Sequence, residues 1–309
     1  MVTPKISSIR IHPLKSGRAL DAPEAVVEPW GLAGDRRWML VRPDGRHLSQ
    51  REDPRLGRFH AVPSPDGGLT VDLVDPLGTL GTPPKPLQVA APSPEQGRPL
   101  VPVRVHSSPT EATEAAPEAH AWFRGLLGED VRLVHMDDPR RRLADPVYAG
   151  PGRPVSFADG YPLLVTTAAS LAALNEAIGG DHPEDPEREA KGAAVPMARF
   201  RPNLVVDGTG PWAEDGWRRI RVGGPDGVVF RVVKPCERCV MTTTDQETGE
   251  RRGPEPLRAL ARHHRLAGAL IFGQNLVPEP ADGCAPGSGP IGTVRLGDAV
   301  EVLETADGD

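Results

Sequence analysis

The run Lys234-Pro235-Cys236-Glu237-Arg238-Cys239-Val240-Met241-Thr242-Thr243-Thr244-Asp245 holds two of the chain's three cysteines, directly after the apolar stretch Val228 to Val233. A strand ending in Pro-Cys-x-x-Cys would present sulfur at a sheet edge or turn. Arg238 beside the second sulfur would favour its thiolate, the form that ligates metal or attacks an electrophile. The threonines would offer hydroxyls to whatever that sulfur holds. Structural zinc needs four ligands, and the remaining candidates, Cys284 and the adjacent His263-His264, do not match the usual spacing. A thioredoxin-type dithiol would open a helix in a βαβ pattern, whereas the threonines and the turn residues Asp245 to Gly249 point to a strand and hairpin. Inert buried cysteines fit poorly with Glu237 and Arg238 as neighbours. One reactive thiolate, the other cysteine being structural or adjacent to its work, fits the residues best.

The elements around this run read as mainly β. With 309 residues, 36 prolines and 34 glycines, the chain has room for two domains and a high density of turns. Alternation at Ile9 and Ile11, Arg37 to Val41, His47 to Gln50, Leu69 to Leu73 and Val101 to Val105 predicts short strands of a small barrel. Pro83 to Pro99 reads as a surface excursion. A helix is predicted over Pro117 to Leu127, with proline in the first turn and Gly128 to stop it. Further strands are expected near Val131 to Val134, Leu163 to Val165, Leu204 to Val206, Arg219 to Val222 and Val228 to Val233. Thr167 is placed to cap a helix carrying Leu171, Leu174 and Ile178 on one face. Leu257 to His264 suggests a short helix, and Gly180 to Gly192 and Pro278 to Pro290, which holds Cys284, read as loops. The Arg140-Arg141-Arg142 run reads as a solvated loop.

Net charge of −6 argues against a nucleic-acid footprint. No apolar run reaches membrane-spanning length, and the N-terminus leads into a strand rather than a signal peptide. A reactive thiol and only three cysteines suit a reducing cytoplasm.

The pattern Cys-x-Arg-Cys-x-x-Thr-Thr-x-Asp-x-x-Thr-Gly resembles the signature of MOSC-domain molybdenum-cofactor proteins, in particular the bacterial N-hydroxylated-base reductases and the mitochondrial amidoxime-reducing component. Pro13-Leu14-Lys15-Ser16 and Gly34-Asp35-Arg36-Arg37-Trp38 are similar to the β-barrel domain that precedes MOSC in that family. Ala169 to Asn175, Arg199-Phe200-Arg201-Pro202-Asn203, Phe272-Gly273-Gln274-Asn275 and Gly297 to Val300 follow in the family's order. Thr244 and Gln246 depart from the family's usual valine and proline. The resemblance implies an α+β chain, mainly β with a few helices: an N-terminal MOSC-type β-barrel over 1–135, then a MOSC β-barrel domain over 150–304.

It also implies a molybdenum–molybdopterin cofactor with Cys239 as metal ligand and catalytic residue, and Cys236 structural or close by. Lys15, Ser16, Arg36 and Arg201 would lie near the pterin phosphate, with Glu237 and Arg238 flanking the ligand. Asn203 is either a turn residue or a partner of the pterin. Asp159 and Thr167 match the region contacting the cofactor. Asp245 and Asn275 lie in motifs near the metal, and of the two only Asp245 could carry a proton. The implied reaction is two-electron reduction of small N-hydroxylated substrates: amidoximes, hydroxylamines and N-hydroxylated bases. No zinc, flavin, haem or iron–sulfur cluster is expected in the chain, since three cysteines cannot hold a four-cysteine cluster. Electrons would come from a separate ferredoxin, flavodoxin or cytochrome with its reductase. A sulfur-carrier or cofactor-handling role, with a persulfide on Cys239, is the alternative.

Overall fold

The computed structural model describes residues 3–75, 78, 84–180, 194–251, 253–280 and 289–306. Its largest sheet has nine strands. Along the main path these are Val300–Thr305, Trp217–Val222, Val228–Glu237, Ala269–Pro278, Leu163–Thr167, Leu204–Asp207, Lys5–Ile11 and Leu20–Ala22, and Arg265–Leu266 pairs with Ala269–Pro278. Ile6 and Ile9 alternate inward in the first strand and join Leu204, Val206, Ile220 and Phe230 in one apolar core. The chain's first strand therefore lies in the same sheet as its last. Glu24–Glu28 likewise pairs with Gly292–Arg295. Lys15 is thereby anchored one turn beyond a strand of this sheet.

The smaller unit joins two sheets. One orders Trp38–Val41, Arg132–His135, Ser108–Glu114 and Leu100–Val105; the other orders Phe59–Pro63, Leu69–Leu73 and Leu87–Val89. The helix Pro117–Leu127 has the bounds that its sequence predicts. Proline opens it, Ala119, Phe123 and Leu127 are buried, and Gly128 at φ 67° donates its amide to Arg124 O. A left-handed residue there ends the helix at no steric cost. Phe123 packs edge-on against Phe59 and Trp122 in the core of this unit.

The cysteine strand has a local peculiarity. Its pairing with Ala269–Pro278 slips register between Val232 and Lys234 and again between Pro235 and Glu237. Proline brings no ladder N–H, so a bulge is a natural place for it. Bulges bend and twist a strand, and here they precede the point where the chain leaves the sheet. Opposite them, Gly273 has φ 79°, and a Cβ there would lie 2.6 Å from Val165 O. Only glycine fits both demands.

Several expectations change. His47 to Gln50 is not a strand: within it only His47 pairs, in an isolated bridge to Val41. The proline-rich stretch contributes a real strand, Leu87–Val89, with Val89 buried. The threonines form a 3₁₀ turn, Val240–Thr243, instead of continuing as a strand. Thr167 does cap its helix, since Ser170 N donates to its Oγ1 at 3.1 Å. The loop readings for 181–192 and for 281–288, with Cys284, lie outside the described residues.

Candidate functional site

Lys15, Ser16, Arg36, Asp159, Arg201, Asn203, Glu237, Arg238, Cys239 and Asn275, scattered over 260 positions of sequence, line one cleft. Cys236 and Cys239 are both partly exposed and free. Arg238 N donates to Leu270 O, which ties the segment between the cysteines back to the neighbouring strand. The chain then turns, and Thr242 and Thr243 donate their hydroxyls to Cys239 O and Val240 O.

The facing wall begins with Lys15. Its Nζ donates to Phe157 O at 2.7 Å and to Asp159 Oδ1 at 2.5 Å, and its side chain is only 6% exposed. Burial lowers the ammonium pKa to about 8, against the opposing pull of Asp159. The Asp159 carboxylate, itself half in solvent, is pushed up by its surroundings but held well below the usual range by Lys15 and His106. Arg142 clamps the same segment from beneath, donating to Ser156 O, Ala158 O and Asp159 O. Arg36 reaches Asp35 at 2.5 Å, Asn203 Oδ1 at 3.2 Å and Arg201 O at 3.3 Å. Arg201 donates to Gly17 O and Gln246 Oε1, and burial, then Arg36, lowers its pKa to about 9.

Two features separate this cleft from ordinary surface. Lys15, Arg36, Arg51, Arg199, Arg201 and Arg238 line it against the carboxylates of Asp159 and Glu237 alone, in a chain whose net charge is −6. A cationic, low-dielectric cleft in an acidic protein concentrates anions. Backbone strain also gathers here. Ser16, Arg36 and Arg201 have φ of 65°, 48° and 54°, and they are three of the six non-glycine residues with positive φ among those described. Each costs about 1–3 kcal/mol and persists only where surrounding contacts impose it, a pattern typical of binding sites.

Residues 3–130 match the MOSC N-terminal beta barrel domain and residues 152–301 the MOSC domain. The chain belongs to the MOSC-domain proteins. It is 29% identical to mitochondrial amidoxime-reducing component 1 of Mus musculus over 96% of this chain and 82% of that protein. The human protein of the same name is 28% identical over the same shares. The molybdenum cofactor sulfurase of Danio rerio is 28% identical over 89% of this chain but only 32% of its own length.

Within this MOSC architecture some expected roles move. Arg238 does not serve the second sulfur; its Nη1 donates to Cys236 Sγ at 2.8 Å and its Nη2 to Phe200 O at 2.7 Å. The sulfur of Cys239 is met instead by Arg51 Nε at 3.3 Å. The hydroxyls of Thr242 and Thr243 are spent on their own turn, and that of Thr244 is buried without a hydrogen-bond partner. Thr167 is buried beside Ser170 and Glu214 and does not line the cleft. Asp245 does not line it either: its Oδ1 accepts the amides of Glu247 and Thr248, and Arg199 lies 3.7 Å from its Oδ2. Asn203 accepts from Leu164 N and Arg36 and donates to Arg10 O, which fixes it between neighbouring strands at the cleft wall. Arg142 is buried at 3% exposure, unlike Arg140, whose arginine head stays on the surface with Asp138. His47, Ser49, Arg51 and Arg199 also line the cleft. Arg199 opens the Arg-Phe-Arg-Pro-Asn motif, whereas nothing in the sequence around His47, Ser49 and Arg51 marks them, since Cys239, which Arg51 meets, lies 188 residues away.

Proposed function

We propose that this cleft holds a molybdenum–molybdopterin cofactor through Cys239, and that the chain reduces N-hydroxylated compounds with electrons from a separate redox partner. The observation that carries the reading is the junction of a free cysteine and a buried cluster of cations in one cleft. The residues suit the group. Among the described residues no three His, Cys, Asp or Glu side chains converge as a metal site. A metal at Cys239 would thus have to bring further ligands, as one held by a dithiolene does, and a soft thiolate is a fitting partner for it. When bound, the cofactor would supply the two-electron redox chemistry.

The chain's own groups then divide the remaining work. Lys15, Arg36 and Arg201 offer charge-assisted hydrogen bonds to a phosphate, the strongest kind available to a protein. Ser16 and Asn203 fix the backbone around it, and Asp159 keeps Lys15 oriented. Glu237, Arg238 and Asn275 border the sulfur and would meet the substrate or the pterin edge. The names of the mammalian relatives support amidoximes and related N–O compounds as the substrate class. A ferredoxin, flavodoxin or cytochrome with its reductase would be the donor, as no nicotinamide- or flavin-binding fingerprint is present in the sequence.

The similarity to molybdenum cofactor sulfurase supports a second reading, in which Cys239 carries a persulfide. Metal and pterin analysis of the purified protein separates the two. About one molybdenum per chain, with viologen-driven but not NADH-driven reduction of an amidoxime, is the expected result. A persulfide on Cys239 in a molybdenum-free protein that stays inactive with every N-hydroxylated substrate would replace the first reading with the second.

A further inference from the structure

Arg51 is pinned at both ends. Its guanidinium spends each nitrogen on a different segment: Nε on Cys239 Sγ at 3.3 Å, Nη1 on His106 Nε2 at 3.3 Å, and Nη2 on Asp159 Oδ2 at 3.5 Å. Its backbone carbonyl accepts from Arg251 Nη2, on the turn that follows the cysteine segment. The side chain is 31% exposed and lines the cleft. A flexible surface arginine would not be held from four directions. His106 is itself fixed, at φ 54° in the tight turn between two strands of the smaller unit, and its ring packs edge-on against that of His47 at 4.7 Å.

We infer that Arg51 is a positioning residue: it sets the direction of the Cys239 sulfur and carries that constraint from the N-terminal barrel to the MOSC half. The inference rests on Cys239 being the metal's ligand. Hydrogen bonds to a ligating atom fix its orientation and tune the electron density it gives the metal. Arg51 meets that description with a directed N–H on the sulfur and two further anchors behind it. Neither the cysteine motif nor any neighbour of Arg51 in sequence contains this contact.

The test uses the molybdenum-loaded protein with Arg51→Gln and Arg51→Lys. Both should retain most of the molybdenum and pterin, yet shift the electron paramagnetic resonance spectrum of the partly reduced metal. They should lower kcat about 10–100-fold, the usual penalty for losing a contact behind a metal ligand, with a smaller change in KM. Glutamine should perturb the spectrum more than lysine, which keeps the charge but not the directed bond. A wild-type spectrum and kcat in either folded variant would overturn the inference, and the lysine variant decides if glutamine fails to fold. Loss of molybdenum–thiolate coordination in wild type itself would instead count against Cys239 as ligand, leaving the two failures distinguishable.

Discussion

Cys236 is the penultimate residue of the Val228–Glu237 strand, and Arg238, two residues on, reaches back to its sulfur. Cys239 opens the next turn, and its sulfur is met by Arg51, 188 residues earlier in the chain. Only two residues separate the cysteines, yet one is served locally and the other across the cleft. A local contact survives any rearrangement that keeps the turn. A contact across the cleft exists only when both halves are folded and docked. Nature of this kind places the chemistry where the fold can control it: the sulfur proposed as ligand is the one whose environment depends on the whole molecule.

The largest expected effect breaks this comparison outright. Cys239→Ala should abolish reduction and change the molybdenum X-ray absorption spectrum, whereas Cys236→Ala should keep metal–thiolate coordination. The reverse outcome would exchange the roles assigned to the two sulfurs.

Next in size is the loss of cation across the cleft. Lys15→Ala, Arg36→Ala and Arg201→Ala should each lower pterin content, measured by release and fluorescence of the oxidised pterin. Lys15 adds a pH signature. With its pKa lowered to about 8, the ammonium is present below that pH and lost as pH rises through it. Cofactor retention should therefore weaken above about pH 8, and a bound phosphate would move the midpoint upward. Lys15→Arg should flatten the profile, and an unchanged profile would detach Lys15 from the anion.

Gly273→Ala tests the strand beside Cys236. A Cβ at positive φ within 2.6 Å of Val165 O should cost about 2 kcal/mol or more, read as a fall in the urea midpoint. Full stability would show that the strand can shift without penalty.

The smallest effect is a slope. Burial lowers the pKa of His47 to about 3 and of His135 to about 4, from 6.5 in the unfolded chain. Protons thus bind the unfolded state first, so stability is present above pH 6.5 and is lost progressively as pH falls toward 4 and 3. His47→Gln and His135→Gln should flatten that slope in a series of urea melts; an unaltered slope would assign acid sensitivity to other groups.

What could be read from the residues follows the range of the forces involved. Alternation and turn residues are local, so the strands at Leu69–Leu73, Leu100–Val105 and Leu204–Asp207 and the helix Pro117–Leu127 were legible. So was the Thr167 cap, a bond spanning three residues. Leu87–Val89 was hidden because its partner strand, not its own composition, makes it β.

The sequence by itself determined the chemistry on offer: a cysteine run after a strand, cations in separated motifs, and glycine where the backbone needs it. Only the tertiary structure decided which cation meets which sulfur. Arg238 is adjacent to Cys239 in the chain, yet its guanidinium points to Cys236 and Phe200 O. A long side chain has several partners within reach of its own backbone. Which one it takes depends on the bulged strand, the 3₁₀ turn and the wall opposite, and those are set by packing between residues far apart in sequence. The same holds for Lys5–Ile11, whose alternation predicts a strand but whose place beside Leu204–Asp207 is fixed by the shared core of the large sheet.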